Sequence, residues 1–146
     1  MDSYAAVPGS FAGLSIGDSL SFDREITCDM VTAFADLSGD YNPVHMDEGY
    51  CRKHGLGSRV AHGMLVLSLV STLIGMYLPG RGALWLSQKF DFIAPVRIGD
   101  KLIVTGMITG KSDENILGMG ILDIKVVVKN QNNAIAVRGN VKVSIR

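Results

Sequence analysis

The sequence carries no excess of charge of either sign. Lys plus Arg and Asp plus Glu are balanced at 14 residues each, the formal net charge is zero, and the sequence pI is near 6.8. A nucleic-acid-binding domain usually has a basic face and a pI above about 9. No block of like charge marks an interaction tail. We therefore predict no nucleic-acid partner.

Cysteine is scarce. Cys28 and Cys51 are too few for a disulfide framework, and neither has a partner at metal-ligand spacing. So little cysteine is typical of a reducing compartment. The N-terminal residues 1–10 include Asp2 and have no basic region followed by an apolar core, so they do not resemble a secretory signal. The sequence predicts a cytoplasmic protein without a bound metal.

Long apolar runs are also missing. The longest run covers residues 64–78 and is interrupted by small and polar residues, namely Ser68, Ser71, Thr72 and Gly75. A helix that spans a bilayer needs about 20 consecutive, predominantly apolar residues. We therefore predict no membrane partner. The 146 residues are enough for one domain with its own hydrophobic core.

The first half of the chain predicts a short strand and three helices. The strand covers residues 19–26, and the helices cover residues 28–37, 47–53 and 64–77. Thr27 is suited to cap the first helix, and Gly39 is suited to end it. The third helix is apolar on nearly every face, which is typical of a buried helix.

The second half alternates with a period of two. Apolar side chains share one parity in four stretches, which predicts strands over residues 84–92, 102–108, 116–128 and 137–145. Turns at 99–100, 112–115 and 130–133 indicate an antiparallel meander. Long strands can curl around a helix, so the sequence predicts an α+β fold, one domain over residues 1–146, in which the sheet wraps the apolar helix. Residues 1–15 form a loose lead-in.

The segment most concentrated in polar and constrained residues is Ser-Gly-Asp-Tyr-Asn-Pro-Val-His at residues 38–45. Asp40 and His45 place a carboxylate and an imidazole where together they can hold a water and transfer protons. The simpler interpretation is a turn-capping aspartate beside a surface histidine. Pro43 restricts its own backbone and that of Asn42, which predicts a rigid loop that aims side chains. Asn42 either orients His45 or anchors the loop through an Asx turn.

A second cluster, Ala61-His62-Gly63-Met64, opens the apolar helix. The backbone N–H of Gly63 near a helix N-terminus suits a developing oxyanion, although glycine is also ordinary at the start of a helix. For His62 we expect a structural hydrogen bond rather than direct catalysis. Met64 is expected to fill core or pocket space. The nearby Arg52, Lys53 and Arg59 are expected to be surface charges.

The segment at residues 38–45, followed by Asp47, resembles the signature of the MaoC-like, or (R)-specific, enoyl-CoA hydratases. The similarity extends over nearly the whole chain from residue 15 onward, through residues 61–64, 92–96 and 99–100. Cys51 departs from the resemblance, because a small residue such as alanine is expected there.

The resemblance implies a hot-dog fold, in which a long sheet wraps a central helix, and a homodimer whose sheets join edge to edge. The implied activity is reversible hydration of trans-2-enoyl thioesters to (R)-3-hydroxyacyl thioesters. The family's catalytic Asp and His correspond to Asp40 and His45, and its backbone oxyanion contact corresponds to Gly63. Asn42, His62 and Met64 are expected to support the site or the substrate. No cofactor is needed, because the acyl thioester enters as the substrate.

Two other functions stay open at this point. A thioesterase can be built on the same scaffold, because a fold does not determine function. A non-catalytic module that binds acyl thioesters is the second alternative, although binding alone requires neither Asp40 nor His45. The acyl chain length, the CoA or acyl-carrier form of the substrate and the physiological direction are left open.

Overall fold

The computed structural model describes residues 9–116 and 118–146, except for the side chains of residues 114–117. The strands are β1 (Ser19–Glu25), β2 (Leu84–Phe92), β3 (Lys101–Ile116), β4 (Met119–Lys129) and β5 (Ile135–Ile145). The helices are α1 (Cys28–Ser38), α2 (Pro43–Met46), α3 (Glu48–Lys53) and α4 (Gly63–Thr72), and a π-helical stretch, Leu73–Tyr77, continues α4. None of the helices in these described ranges has the length and apolar character to cross a bilayer.

The five strands form one antiparallel sheet in the order β1-β3-β4-β5-β2. The strands β3, β4 and β5 follow one another as a meander, as predicted. The prediction is wrong for β2, which pairs with β5 at the far end of the sheet, with Phe92 opposite Val137. The place beside β3 is taken by β1. Alternating apolar residues identify a strand, but they do not identify its neighbours.

One predicted turn is also misplaced. Residues 112–115 are predicted as a turn, but β3 continues through them to Ile116 and β4 begins at Met119. The register shifts between Ser112 and Ile116, so the two strands stay paired through a local irregularity. The turns predicted at 99–100 and 130–133 are confirmed, and Gly99 and Asn133 in them have positive φ angles of 93° and 63°.

Helix α4 packs against the inner face of the sheet. Its buried side chains are Leu65, Val66, Leu67, Leu69 and Val70. On β3 the predicted parity places Val104 and Ile108 on the inner face, and both are fully buried. A Cβ atom on Gly106, between them, would lie 2.7 Å from Cδ2 of Leu73, so glycine permits the close approach of the helix. The architecture is the predicted α+β hot-dog fold, with one long sheet around a central apolar helix.

The lead-in is packed rather than loose from residue 9 onward. The amide of Phe11 donates to the carbonyl of Arg146 at 2.7 Å. Its ring lies beside Gly120, where a Cβ atom would come within 2.3 Å of it, and beneath the ammonium group of Lys111. The backbone hydrogen bond and the packed ring of Phe11 together attach the lead-in to the sheet. Residues 1–8 of the predicted lead-in lie outside the described residues.

Candidate active site

The segment predicted to carry the chemistry begins where α1 ends. The hydroxyl of Thr27 accepts a hydrogen bond from the amide of Met30 at 3.2 Å and caps the start of α1, as predicted. Gly39 ends the helix with a φ of 78°, and its amide donates to the carbonyl of Ala35 at 2.8 Å. Glycine adopts this left-handed conformation without the steric penalty of other residues. The chain therefore leaves α1 at a defined point, one residue before Asp40.

Residues 43–46 form the helical turn α2 instead of the rigid loop that the sequence predicted. Pro43 is its first residue, and the side-chain oxygen of Asn42 accepts the amide of Val44 at 3.2 Å. A proline at the first helical position and an asparagine cap both favour a helical start. The Asx hydrogen bond considered for Asn42 is therefore present. Because the cap holds α2, it also sets the direction in which His45 leaves the helix.

Asp40 and His45 face each other across the start of α2. Oδ2 of Asp40 lies 3.8 Å from Nε2 of His45, and its Oδ1 accepts the amide of Asn42 at 3.1 Å. Nδ1 of His45 lies 2.6 Å from the carbonyl oxygen of Val60. A carbonyl can only accept, so Nδ1 carries a hydrogen and Nε2 is the nitrogen that gains or loses a proton.

The separation of Asp40 and His45 leaves room for a third partner. A distance of 3.8 Å between Nε2 and Oδ2 is too long for a direct hydrogen bond. A water oxygen about 2.8 Å from both atoms would subtend an angle of about 85° between them, which is compatible with donation to both. The side chain of Asp40 is 51% exposed and that of His45 is 13% exposed. The pair can therefore bind a water and exchange protons with it.

His62, the N-cap residue of α4, packs directly against this pair. Its ring stacks on that of His45, with centroids 3.9 Å apart and planes inclined by 29°. Its Nε2 lies 2.9 Å from the carbonyl oxygen of Asp40, so the hydrogen bond expected from the sequence is present. Phe34 of α1 also contacts the ring, at a centroid distance of 4.9 Å. His62 is only 2% exposed.

Gly63 and His45 line the same cavity, which has a volume of about 340 Å³. Gly63 is the first residue of α4, so its N–H has no acceptor within the helix and lies at the positive end of the helix dipole. The other walls are mainly apolar and include Val66, Phe92, Pro95 and Val137. Such a cavity suits an apolar ligand that carries a carbonyl group.

Met64 lines a different cavity. Its side chain is 57% exposed and borders a space of about 340 Å³ together with Phe34, Leu67 and Trp85. The sequence left a choice between core and pocket for this residue, and the structure places it in a pocket wall. The adjacent residues Gly63 and Met64 thus each border one of two cavities at the start of α4.

Some contributors to the site have no clear signal in the sequence. Arg59, predicted as a surface charge, is half-buried, and its Nε donates to the carbonyl of His45. Its Nη1 lies 3.4 Å from Sγ of Cys28. The carbonyl of Val60 that accepts from His45 is a backbone atom, for which residue type carries no information. These contacts join residues 14 to 31 positions apart, so local spacing does not reveal them.

Two side chains brace the segment from its flanks. The hydroxyl of Tyr41 donates to Oδ1 of Asp36 on α1 at 2.6 Å, and this hydrogen bond raises the pKa of the Tyr41 phenol above its ordinary value. On α3, the fully buried Cys51 directs its Sγ to the carbonyl of Val44 at 3.3 Å. The residue that departs from the family resemblance therefore packs against the backbone of α2.

Asp40, His45 and His62 form, among the described residues, a group whose possible ligand atoms lie within 4.8 Å of one another. Their geometry does not suit a metal. A metal lies near the plane of each imidazole that binds it, and two rings stacked at 3.9 Å do not share a plane. The arrangement favours proton transfer over metal binding.

Similar proteins have related names and the same fold. The chain is 41% identical over 90 residues to the 3-hydroxybutyryl-CoA dehydratase of Methylorubrum extorquens, a match that covers 62% of this chain and 57% of that relative. It is 31% identical over 136 residues to the (R)-specific enoyl-CoA hydratase of Aeromonas caviae, which covers 93% of this chain and 98% of the relative. The chain thus spans little more than half the length of the first relative and nearly all of the second.

A solved structure and a family model agree with these relatives. The unliganded R-hydratase PhaJ1 of Pseudomonas aeruginosa superposes with a TM-score of 0.86 at 32% identity, over 93% of this chain and 84% of that chain. Residues 12–130 match the model of the MaoC like domain, which includes the whole Asp40–His45 segment and all of α4. This chain belongs to the MaoC-like family.

Proposed function

We propose that the protein is a hydro-lyase that adds water reversibly to trans-2-enoyl thioesters and gives (R)-3-hydroxyacyl thioesters. One observation carries the proposal. His45 and the helix-terminal Gly63 line a single apolar cavity, and the carboxylate of Asp40 lies 3.8 Å from Nε2 of that histidine. The names of the similar proteins supply the thioester class of the substrate.

The electrophile is activated at the carbonyl. In an enoyl thioester the carbonyl is conjugated to the C2–C3 double bond, so C3 accepts a nucleophile when negative charge can move to the carbonyl oxygen. The N–H of Gly63 donates to that oxygen and stabilises the enolate character of the transition state. The positive end of the α4 dipole acts in the same direction.

The nucleophile is a water bound by Asp40 and His45. As its oxygen bonds to C3, one proton of the water passes to this pair, and a proton from the pair returns to C2, so the net change is addition of one water. On the histidine, Nε2 is the atom involved, because Nδ1 is bonded to Val60. Both groups approach from one side of the substrate, so addition occurs on a single face. Asp40 and Nε2 both reach the bound water, so either group can accept the first proton.

The remaining expectations become part of the same proposal. All proton and charge transfers pass through Asp40, His45 and Gly63, so neither a metal nor a redox cofactor enters the reaction.

The partner is a second copy of this chain. The strand β2 lies at one edge of the sheet and exposes the apolar side chains of Leu84 (47%) and Phe92 (54%), which an edge-to-edge homodimer would cover. The cytoplasmic location of the protein stays a prediction from the sequence.

The proposal is tested with crotonyl-CoA. Loss of enoyl absorbance without release of free thiol is expected, with an (R)-3-hydroxy product on chiral analysis. Asp40→Asn and His45→Gln should each lower kcat by about 100-fold or more, because each removes a proton-transfer group. The matched controls are Asp29→Asn and His54→Gln, which change the same residue types at exposed positions of α1 and the loop after α3.

Three results would contradict the proposal. Release of free thiol as the main reaction would indicate a thioesterase. Binding of the thioester without turnover would indicate a binding module. An (S) product would contradict the assigned face of addition.

A further inference from the structure

We propose that His62 is a positioning residue that holds the Asp40–His45 pair at a set distance from the amide of Gly63. The inference rests on the hydratase function proposed above. His62 contacts all three parts of the site. Its Nε2 bonds the carbonyl of Asp40, its ring lies against the ring of His45, and its own peptide bond leads into Gly63.

The hydrogen bond to Asp40 determines the tautomer of His62. A carbonyl accepts, so Nε2 carries the hydrogen, and Nδ1 of the neutral ring is left as an acceptor. That Nδ1 is buried and has no hydrogen-bond partner within the described part of the chain. A buried acceptor without a partner lowers stability.

This unsatisfied nitrogen indicates a role beyond folding. Phenylalanine at position 62 would preserve the ring contact without a buried nitrogen, and asparagine would supply a donor alone. Only histidine among these three provides both the ring contact and the hydrogen bond. A residue that serves both contacts at a cost in stability is better explained by the requirements of the site than by those of the fold.

The stack limits the movement of His45. The bond from Nδ1 to Val60 anchors one end of the imidazole, but a single hydrogen bond allows the ring to tilt about it. The ring of His62, 3.9 Å away at an angle of 29°, lies against the face of the imidazole and restricts that tilt. Phe34 in turn packs against His62, which ties the stack to α1. Both the position and the orientation of Nε2 of His45 are therefore fixed.

The substrate explains why this matters for the rate. The conjugated O=C–C=C unit of an enoyl thioester is planar, so within the bound conformer the span between its carbonyl oxygen and C3 is fixed. The protein must keep the water-binding pair and the Gly63 amide at a matching span. His62 joins the two, because the residue that contacts Asp40 and His45 is also the N-cap of α4. A displacement of reacting groups by about 1 Å can cost about 100-fold in rate.

The test compares His62→Phe, which keeps a ring, with His62→Asn, which keeps a donor. We expect each to lower kcat on crotonyl-CoA by about 10- to 100-fold. His62 is 2% exposed and cannot reach substrate, so KM should change by no more than about twofold. His62→Phe should melt close to the wild-type temperature, because loss of the unsatisfied Nδ1 offsets loss of the hydrogen bond to the carbonyl of Asp40. His54→Phe, at an exposed histidine, is the control and should leave kcat and the melting temperature unchanged.

A purely structural role predicts a different result. If His62 served folding alone, kcat and the melting temperature of His62→Phe would fall together, and activity would return when the assay is run at lower temperature. That result, or wild-type kcat in His62→Phe, would overturn the positioning role. If His62→Phe fails to fold, the same criteria apply to His62→Asn.

A parallel Asp40→Asn variant separates the two proposals. If wild type hydrates crotonyl-CoA, Asp40→Asn is inactive and His62→Phe is fully active, the positioning role alone is refuted. If wild type produces no hydration at all, the hydratase function is refuted and the positioning role with it. Low kcat with retained KM and melting temperature in His62→Phe supports both.

Discussion

The phenyl ring of Phe92 occupies the space that a β-carbon on residue 63 would need. Its Cε1 lies 2.9 Å from that position and its Cζ lies 3.1 Å from it, closer than side-chain carbons normally approach. Phe92 ends β2, and Gly63 begins α4. The amide proposed as the oxyanion donor is therefore next to an aromatic wall of the cavity, and glycine is the residue that permits this contact.

Gly63→Ala is expected to lower kcat/KM without removing the N–H donor. The added methyl pushes against the ring of Phe92 at the end of β2, outside the buried core, so the fold should survive while the cavity wall shifts. We expect a loss of about tenfold in kcat/KM on crotonyl-CoA, since small displacements of a wall misplace the substrate. Steady-state kinetics and thermal melting measure the two effects.

The matched control for this substitution is Gly75→Ala. A Cβ atom there would meet no atom within 4 Å, so kcat/KM should be unchanged, and the melting temperature should stay the same or rise slightly because alanine restricts the unfolded chain. Adding Phe92→Leu to Gly63→Ala should recover part of the loss. Wild-type kcat/KM in Gly63→Ala would show that the contact is unimportant.

Asn42→Ala is expected to reduce both stability and turnover. The substitution removes the acceptor that caps α2, at a cost of about 1 kcal/mol, and α2 carries His45. Asn42→Ser retains a capping hydroxyl and should stay close to wild type in both properties. Urea unfolding and the kcat on crotonyl-CoA are the measurements.

Thr27→Ala is the control for Asn42→Ala, because it removes a helix cap that does not belong to the helix carrying His45. Its hydroxyl also accepts a helix amide at 3.2 Å, but it caps α1. The two alanine variants should therefore lose similar free energies of unfolding, while only Asn42→Ala loses kcat. Equal kcat in both would mean that the cap of α2 serves folding alone.

Arg59→Leu is expected to weaken the backbone support of His45. The guanidinium donates to the carbonyl of His45 from a half-buried position, so its removal should cost about 1–2 kcal/mol of unfolding free energy. We expect a severalfold lower kcat as well. Arg52→Leu, at an exposed arginine of α3, is the control. Identical unfolding curves for the two variants would show that Arg59 contributes no more to stability than an exposed arginine does.

Gly106→Ala tests the contact between the sheet and the helix. The new methyl would lie 2.7 Å from Cδ2 of Leu73 and 3.4 Å from Cγ2 of Ile124, inside a close-packed core. We expect a loss of about 1–3 kcal/mol, as for other overpacked cores. Leu73→Val removes the nearest carbon and should restore part of the loss in the double variant. An unchanged urea midpoint for Gly106→Ala would contradict this description of the core.

Several local features were correctly predicted because their partners are close in the chain. The cap at Thr27 and the helix end at Gly39 depend on hydrogen bonds to residues three and four positions away. Such bonds form wherever the residue types occur at that spacing, so composition and order are enough to locate them. A loop was predicted in place of α2, although a proline and a capping asparagine both favoured a helical turn.

The pairing of strands could not be predicted in the same way. Apolar residues alternate along β2 as in a typical strand, and this pattern can be read from the local sequence. Its partner β5 is separated from it by β3 and β4, and the choice depends on how residues 93–100 cross the end of the sheet. The polar stretch at 112–115 had the composition of a turn, but β3 and β4 pair on both sides of it, at Ser112 and at Ile116. In both cases hydrogen bonds between strands outweighed local preference.

By itself the sequence determined the fold class, the apolar helix and the position of Asp40 and His45 on one short segment, because these depend on periodicity and on neighbours in the chain. Only the tertiary structure decided how that pair is used. It brought the carbonyl of Val60 to Nδ1, stacked His62 on His45 and placed Phe92 against Gly63. These contacts join residues at least 15 positions apart in the chain, so local spacing does not specify them.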